Sequence, residues 1–382
     1  MLYRNFEKIG VPISAFGLGC MRFPTKEVKG ADGSTGQVVD QKLATELIRG
    51  AIERGVNYID TAYVYSEGKN ESVVGKALEG GYRERVYLAT KLPVWNCNTK
   101  EDLPRLFEEQ CRNLQTDVID FYLVHALNGE KWDQMLALGI REFLDDLKAK
   151  GRIRYACFSF HDSYDAFERI FNGYNWDMCQ LQYNFMDVHH QAGIKGLELA
   201  ASRGVPVVIM EGLRGGKLAS APNEILDIYR SYPEKRTPVE WAFRWLCHHP
   251  QILTVLSGVT SMEQLEDNIR IFSEAGEGCM TEEEIALMAK VTEAYEKRTK
   301  AGCTNCRYCM PCPAGVDIPG IFHVWNEAYQ YGQELSGLDA YAGKMRKGKG
   351  ADLCVGCRAC ESVCPQQLPV SELLEKAHSE MK

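Results

Sequence analysis

The stretch Val56-Asn57-Tyr58-Ile59-Asp60-Thr61-Ala62-Tyr63-Val64-Tyr65 opens as an apolar strand and closes in polar and aromatic side chains. A segment of helical period, 40–54, runs directly into it. The same unit, a short apolar run joined to a longer segment of period 3.6, recurs on both sides. Strands are expected at 16–21, 58–61, 86–90, 121–124, 155–159, 178–182, 207–210 and 253–257. Helices are expected at 40–54, 71–78, 100–114, 140–150, 163–171, 192–202, 238–248 and 261–272. Asp40 and Thr99 stand where a helix cap belongs, Gly55, Gly151 and Gly204 follow helix ends, and Pro238 suits a first helical turn. Eight strand–helix pairs in about 270 residues have the size and rhythm of a closed parallel (β/α)8 barrel, an α/β fold of the TIM-barrel class. An open doubly wound sheet would carry Gly-x-Gly-x-x-Gly at its first turn, and this chain does not. Residues 1–12 read as a hairpin closing the barrel floor.

The rest of the composition limits the function. A chain of 382 residues exceeds what one hydrophobic core usually organises. Its net charge of −8 argues against a nucleic-acid surface, and no apolar run nears the ~18 residues needed to cross a bilayer. The charged opening Met1-Leu2-Tyr3-Arg4-Asn5-Phe6-Glu7-Lys8 is unlike a secretory signal, so a cytoplasmic protein is expected. Of 15 cysteines, Cys20, Cys97, Cys111, Cys157, Cys179, Cys247 and Cys279 are scattered, and the others crowd between Cys303 and Cys364. Clustered cysteines without signs of export point to metal rather than disulfides. That shift divides the chain into a barrel over 1–297 and a second domain over 298–382. A helix at 282–298 is expected to pack on the barrel and lead into the second domain.

Polar residues gather where the barrel strands would end: Asp60, Lys91, His125, Ser159, Gln182, Glu211 and Gly258. In such a barrel those ends share one mouth, where chemistry is done. The segment 56–65, together with Ala89-Thr90-Lys91 and Asp120-Phe121-Tyr122-Leu123-Val124-His125, resembles the aldo-keto reductase family, a likeness covering nearly all of residues 1–290. The resemblance implies Asp60, Tyr65, Lys91 and His125 as a catalytic tetrad. A phenol with pKa ~10 is a poor neutral-pH acid, and a neighbouring ammonium such as Lys91 stabilises its phenolate. Asp60 would keep Lys91 charged, and His125 would hold a substrate oxygen against Tyr65.

The resemblance also implies NADP or NAD as cofactor. Ser159 and Gln182 correspond to carboxamide-binding positions, Phe160 stands where Asn is usual, and His161 could substitute. Met210 takes the place of a stacking aromatic. Glu211, Gly212 and Leu213 open a pyrophosphate loop running to Gly216, where glycines let backbone N–H groups approach an anion. Gly258, Thr260, Gln264 and Asn268 fall in a strand-to-helix turn resembling the adenosine-phosphate site, and Gly19, Cys20 and Met21 lie at the first strand's exit.

The C-terminal pattern is Cys303-x-x-Cys306-x-x-Cys309-x-x-Cys312-Pro313 and Cys354-x-x-Cys357-x-x-Cys360-x-x-x-Cys364-Pro365. Third cysteines and the following prolines favour two 4Fe–4S clusters over paired zinc sites. In two-cluster ferredoxins the last Cys of each run ligates the other cluster. By that resemblance Cys303, Cys306, Cys309 and Cys364 would hold one cluster, and Cys354, Cys357, Cys360 and Cys312 the other. The long separation, with a helix expected at 318–335, resembles the alpha-helical ferredoxin type. Lys344, Arg346, Lys347 and Lys349 form a basic stretch that could dock an acidic electron carrier, against the plainer reading of a solvated loop. His189-His190 read as a polar loop pair rather than metal ligands, and Trp241 and Trp245 as core.

Three functions remain open at this point. The leading one is an NAD(P)-linked oxidoreductase interconverting a small carbonyl and alcohol. The second is an electron-transfer protein whose barrel binds a nicotinamide, a flavin or a partner without such turnover. The third is a regulatory binding module. Hydride moves two electrons and a cubane usually one, so direct exchange between the halves needs an intermediary such as a flavin, for which no motif is present.

Overall fold

The computed structural model describes residues 1–29 and 35–382. Eight parallel strands close into a barrel: β1 (Phe16–Gly19), β2 (Tyr58–Asp60), β3 (Tyr87–Leu92), β4 (Ile119–Leu127), β5 (Ile153–Phe160), β6 (Met178–Gln182), β7 (Val207–Met210) and β8 (Ile252–Ser257), with β8 paired to β1. This is the (β/α)8 architecture expected. The strands are buried on both faces, which is why each reads as a continuous apolar run rather than an alternating one.

Local chemistry sets the helix limits. Helix α1 (Gln41–Glu53) starts where the Asp40 carboxylate accepts hydrogen bonds from the N–H groups of Lys42 and Leu43, at 3.0 and 3.3 Å. Ala44, Leu47, Ile48 and Ala51 form its buried stripe. Helix α2 (Asn70–Ala77) meets α3 (Asp102–Leu114) at Gly75. Thr99 does not cap α3; instead Asp102 reaches back to the N–H groups of Asn98 and Thr99, each at 2.9 Å. The barrel floor is closed by Tyr3–Arg4 pairing antiparallel with Ile13–Ser14, and Ile9 and Ile13 join Phe121, Leu123, Met178 and Leu253 in one apolar cluster. The Arg4 guanidinium donates to the carbonyls of Cys247, His249 and Ile252. An exposed hairpin, Thr25–Lys29 with Thr35–Val39, was not anticipated.

Two compact units emerge: Met1–Gly215 with Glu240–Thr281, and Gly216–Val239 with Glu282–Lys382. The helix expected at 282–298 to pack on the barrel forms over Glu282–Lys297, but it groups with the second unit, where it packs on Asn223–Arg230. That unit contains Ile318–Gln330, Glu334–Arg346 and Val370–Met381, around a core of Val316, Ile321, Phe322, Trp325, Tyr341 and Leu374. Trp241 is fully buried as expected, whereas Trp245 is half-buried and lies against Tyr183, 5.2 Å between ring centres. No helix among the described residues is long and apolar enough to cross a membrane.

Gly75 tests how tightly the outer helices pack. A Cβ there would stand 2.6 Å from the Asn113 carbonyl oxygen, a backbone atom that cannot swing aside. Gly75→Ala gains up to ~1 kcal/mol of helix propensity and loses ~1–3 kcal/mol to overpacking. The expected net result is a lower urea midpoint with an unchanged m-value.

Candidate functional site

At the C-terminal ends of β2, β3 and β4 the barrel brings together four side chains spread along residues 60–125. Asp60 ends β2, Lys91 lies on β3 and His125 on β4. Tyr65 follows β2 by a short loop. The Lys91 ammonium is 1% exposed and donates to Asp60 Oδ1 at 2.6 Å, to the Thr61 carbonyl at 2.8 Å and to Tyr65 Oη at 3.3 Å. The His125 ring lies 6.2 Å from that of Tyr65 and 5.0 Å from that of Trp95, measured between centres. Asp60 Oδ2 and His125 Nδ1 are buried with no hydrogen-bond partner among the described residues.

The loop presenting Tyr65 is strained. Ser66 and Glu67 both adopt left-handed backbone, at φ 50° and 57°, which costs roughly 1–2 kcal/mol per non-glycine residue. Asn70 holds it: its Nδ2 donates to Ser66 Oγ at 3.2 Å and to the Cys20 carbonyl at 2.8 Å, while its Oδ1 accepts from Thr61 at 2.6 Å. Behind Lys91, the buried Glu71 accepts from Thr90 at 2.6 Å and Gln110 at 2.8 Å, and Gln110 also donates to the Lys91 carbonyl at 3.0 Å. The sequence reading missed Asn70, Glu71, Gln110 and Trp95. Asn70, Glu71 and Gln110 belong to no motif, and their burial, which obliges such groups to find partners in an apolar interior, shows only in the fold.

Electrostatics at the site are a contest between burial and pairing. Burial pushes the Tyr65 phenol above its ordinary value, and the adjacent Lys91 only partly opposes it. The expected acidification of Tyr65 by Lys91 is therefore present as a pull but outweighed. Burial alone would lower Lys91, yet Asp60 and Tyr65 overcome it and hold the ammonium above its usual range. Burial raises Asp60, against the opposing pull of Lys91. His125 is driven well below 6.5, by burial first and then by Lys91, His161 and Lys131, so it is neutral at pH 7.

The other strand-exit residues are placed as follows. Ser159 Oγ accepts from the Ala126 N–H at 2.8 Å. Gln182 donates to Asp187 at 3.0 Å and accepts from Gln191 at 3.4 Å. Phe160 is fully buried against Phe167, 5.3 Å between ring centres. Met210 is half-buried at the end of β7, and Glu211 follows it in left-handed backbone at φ 59°. Asn184 donates to the Glu211 carbonyl at 3.0 Å. Arg22 donates to the Gly215 carbonyl at 2.6 Å, two residues beyond the half-buried Leu213, and the Cβ of Arg22 is 3.8 Å from where a Gly258 Cβ would stand. Gln264 accepts from the Thr260 N–H at 2.9 Å, and Asn268 donates to Ser257 at 3.1 Å. At the exit of β1, Gly19 pairs with Asp60, the buried Cys20 directs its Sγ to the Leu18 carbonyl, and Met21 is exposed.

In the second unit, Cys303, Cys306, Cys309 and Cys364 line one small pocket together with Phe322 and Leu368. Both cysteine runs show the same backbone alternation. Asn305 and Arg307 flank Cys306 at φ 57° and 66°, and Gly356 and Arg358 flank Cys357 at φ 66° and 55°. Burial raises Cys360 to about 11, with Cys309 and Cys354 among the neighbouring thiols. No three His, Cys, Asp or Glu side chains among the described residues already stand as a metal-holding group. The Met310–Pro311 peptide is cis. In the basic stretch, Lys344 is tied to Asp317 at 2.8 Å, while Arg346, Lys347 and Lys349 are exposed. His189 and His190 are exposed.

A model described as the aldo/keto reductase family matches residues 15–293, and one described as a 4Fe-4S dicluster domain matches residues 302–368. An uncharacterized oxidoreductase of Bacillus subtilis (strain 168), YqkF, is 27% identical over 323 residues, spanning 77% of this chain and 97% of its own length. The holo form of aldo-keto reductase AKR11C1 from Bacillus halodurans is 26% identical with a TM-score of 0.62, covering 76% of this chain and 96% of that one. An aldo/keto reductase from Klebsiella pneumoniae, solved with NADP and acetate, shares the fold at 24% identity and a TM-score of 0.59, covering 76% and 95%.

The buried ion pair gives a sign-definite test. Lys91→Met leaves Asp60 as a buried charge without its cation, at a cost of about 3–5 kcal/mol near pH 8. A carboxyl whose folded pKa is raised loses that penalty once pH falls below the folded value and toward the unfolded ~3.9. The destabilisation of Lys91→Met relative to wild type should therefore shrink from pH 8 to pH 5 in urea titrations.

Proposed function

Because the chain belongs to the aldo/keto reductase family, we propose that its barrel interconverts a small carbonyl and an alcohol with NADP or NAD, and that its tail holds two 4Fe–4S clusters. The division into a barrel domain over 1–297 and a cluster domain over 298–382, and a cytoplasmic location, belong to the same proposal. The observation that carries the enzymatic part is Lys91 Nζ standing between Asp60 Oδ1 and Tyr65 Oη, at 2.6 and 3.3 Å.

The strand exits fit a nicotinamide dinucleotide. Ser159 accepts one hydrogen bond and keeps its own hydroxyl proton for a carboxamide oxygen. The Ser261-capped helix Met262–Glu274 offers a full-length N-terminus to a phosphate. Gln182 would serve the carboxamide from its present bonds to Asp187 and Gln191. A bound nicotinamide supplies the two-electron reductant of the reaction.

The chain's own residues handle the proton. Tyr65 Oη gives its hydrogen to the oxygen of the carbonyl as negative charge builds there. Lys91, donating to the same Oη, stabilises the phenolate left behind, and Asp60 keeps that ammonium charged in a buried site. Neutral His125 donates one N–H to the substrate oxygen and fixes its approach. In the reverse direction the phenolate accepts the alcohol proton. A burial-raised phenol stays protonated through neutral pH, which suits it to reduction.

General acid catalysis of this kind contributes about 10²–10⁴ in rate. Tyr65→Phe should lower kcat for aldehyde and ketone reduction by that factor, while dithionite still bleaches the iron–sulfur absorption. Carbonyl turnover that survives this substitution would show that Tyr65 is not the acid.

For the tail, support comes from four cysteines of two different runs sharing one cavity. Cys309→Ser removes one of them, and anaerobically purified protein should fall from about eight irons and eight sulfides per chain to about four of each. An unchanged count would reassign that ligand.

A further inference from the structure

Beside His125 the barrel mouth carries a cation that the proton chemistry does not use. Lys131 sits in the first turn of Gly129–Ala137, the helix that follows β4, where Asn128 caps by accepting its N–H at 2.8 Å. Its half-buried side chain turns back toward the strand end. The ammonium lies 3.4 Å from the carbonyl oxygen of Ala126, the residue after His125, and 5.0 Å from the centre of the Trp95 ring. That indole is 43% exposed and also stands 5.0 Å from the His125 ring. Ala126 itself is held in left-handed backbone at φ 47°.

No carboxylate among the described residues comes within ion-pairing distance of Lys131. Of the acids on the neighbouring segments, Asp133 pairs with Arg169 at 2.7 Å, and Asp162 accepts the Gly129 N–H at 2.9 Å. Asp187 is bound by Gln182 and Asn184, and Asp60 by Lys91. The neighbouring imidazoles, His125 and His161, are both lowered by burial and add no fixed charge of their own at neutral pH. An ammonium held over an indole with no counter-ion, next to the group that orients the substrate oxygen, is a receptor for a negative charge on the substrate.

Resting on the reductase reading of the Tyr65 site, we propose that the substrate is an oxo acid. Its carbonyl is held by His125 and Tyr65, and its carboxylate is received by Lys131 against the Trp95 wall. Lys131 is then a specificity residue that discriminates anionic from neutral carbonyl compounds.

Binding separates this proposal from the enzymatic one. Oxamate, a non-reducible analogue of an oxo acid, and its uncharged ethyl ester would be titrated calorimetrically into the full-length protein with its clusters, with and without NADP. Wild type should bind oxamate at least about tenfold more tightly than the ester. Lys131→Met should weaken oxamate about tenfold or more and leave the ester within about twofold, while Lys131→Arg retains most of the preference. In turnover, benzoylformate should lose a similar factor in kcat/KM in Lys131→Met, chiefly through KM, and its methyl ester should not. Equal affinity for oxamate and its ester, or indifference of oxamate to Lys131→Met, would overturn the proposal. Should oxamate bind in a Lys131-dependent way while Tyr65→Phe keeps full carbonyl turnover, the anion site stands and the assignment of Tyr65 fails.

Discussion

A charged lysine buried to 1% exposure is the constraint around which the barrel mouth is arranged. Unpaired, such an ammonium would lose its proton or unfold the site, so the surrounding chain is organised to hold it. Asp60 supplies the counter-charge from the adjacent strand, Thr61 supplies a carbonyl, and Tyr65 closes the third direction. The pair is weak grounds for stability, since desolvation of both ions offsets much of their attraction. Its value lies in a fixed position for the proton-bearing phenol.

Support for that arrangement comes from buried polar side chains that pattern reading does not single out. Asn70 makes three hydrogen bonds that join the strained Tyr65 turn, the loop after β1 and the end of β2. Glu71 and Gln110 brace the strand carrying Lys91 from the helix side. Left-handed backbone at non-glycine residues recurs at several candidate-site positions, among them Ala126 after His125, Glu211 after β7, Asn305 and Arg307 beside Cys306, and Arg358 beside Cys357. The two cysteine runs, although differently spaced before their final cysteine, follow the same alternation of handedness around the middle one.

The barrel was legible in the sequence because parallel strands covered on both faces become uninterrupted apolar runs. The limits 178–182 and 207–210 agree with Met178–Gln182 and Val207–Met210 to the residue. Elements with little burial were not legible. The hairpin Thr25–Lys29 with Thr35–Val39 is exposed, and Gly129–Ala137, Asn223–Arg230 and Val370–Met381 bury only a few side chains each. Of the mouth, residues lying on strands could be located from strand ends, whereas Trp95 sits in the short 3-10 turn Val94–Asn96, whose path only tertiary packing decides. The balance of burial against pairing at Tyr65 was equally out of reach, because it depends on how much water the closed barrel leaves around the ring.

The floor hairpin constrains how the molecule is made. Arg4 is stitched to carbonyls at positions 247, 249 and 252, the Leu2 N–H donates to the Phe272 carbonyl at 3.2 Å, and β1 completes its pairing only on β8. The floor strands therefore wait for partners about 250 positions later in the chain before they find their place. Until β8 has emerged, β1 and β7 each present an open edge, and the nascent sheet must remain unsealed. Ring closure, which joins β1 to β8, is thus a late event in folding.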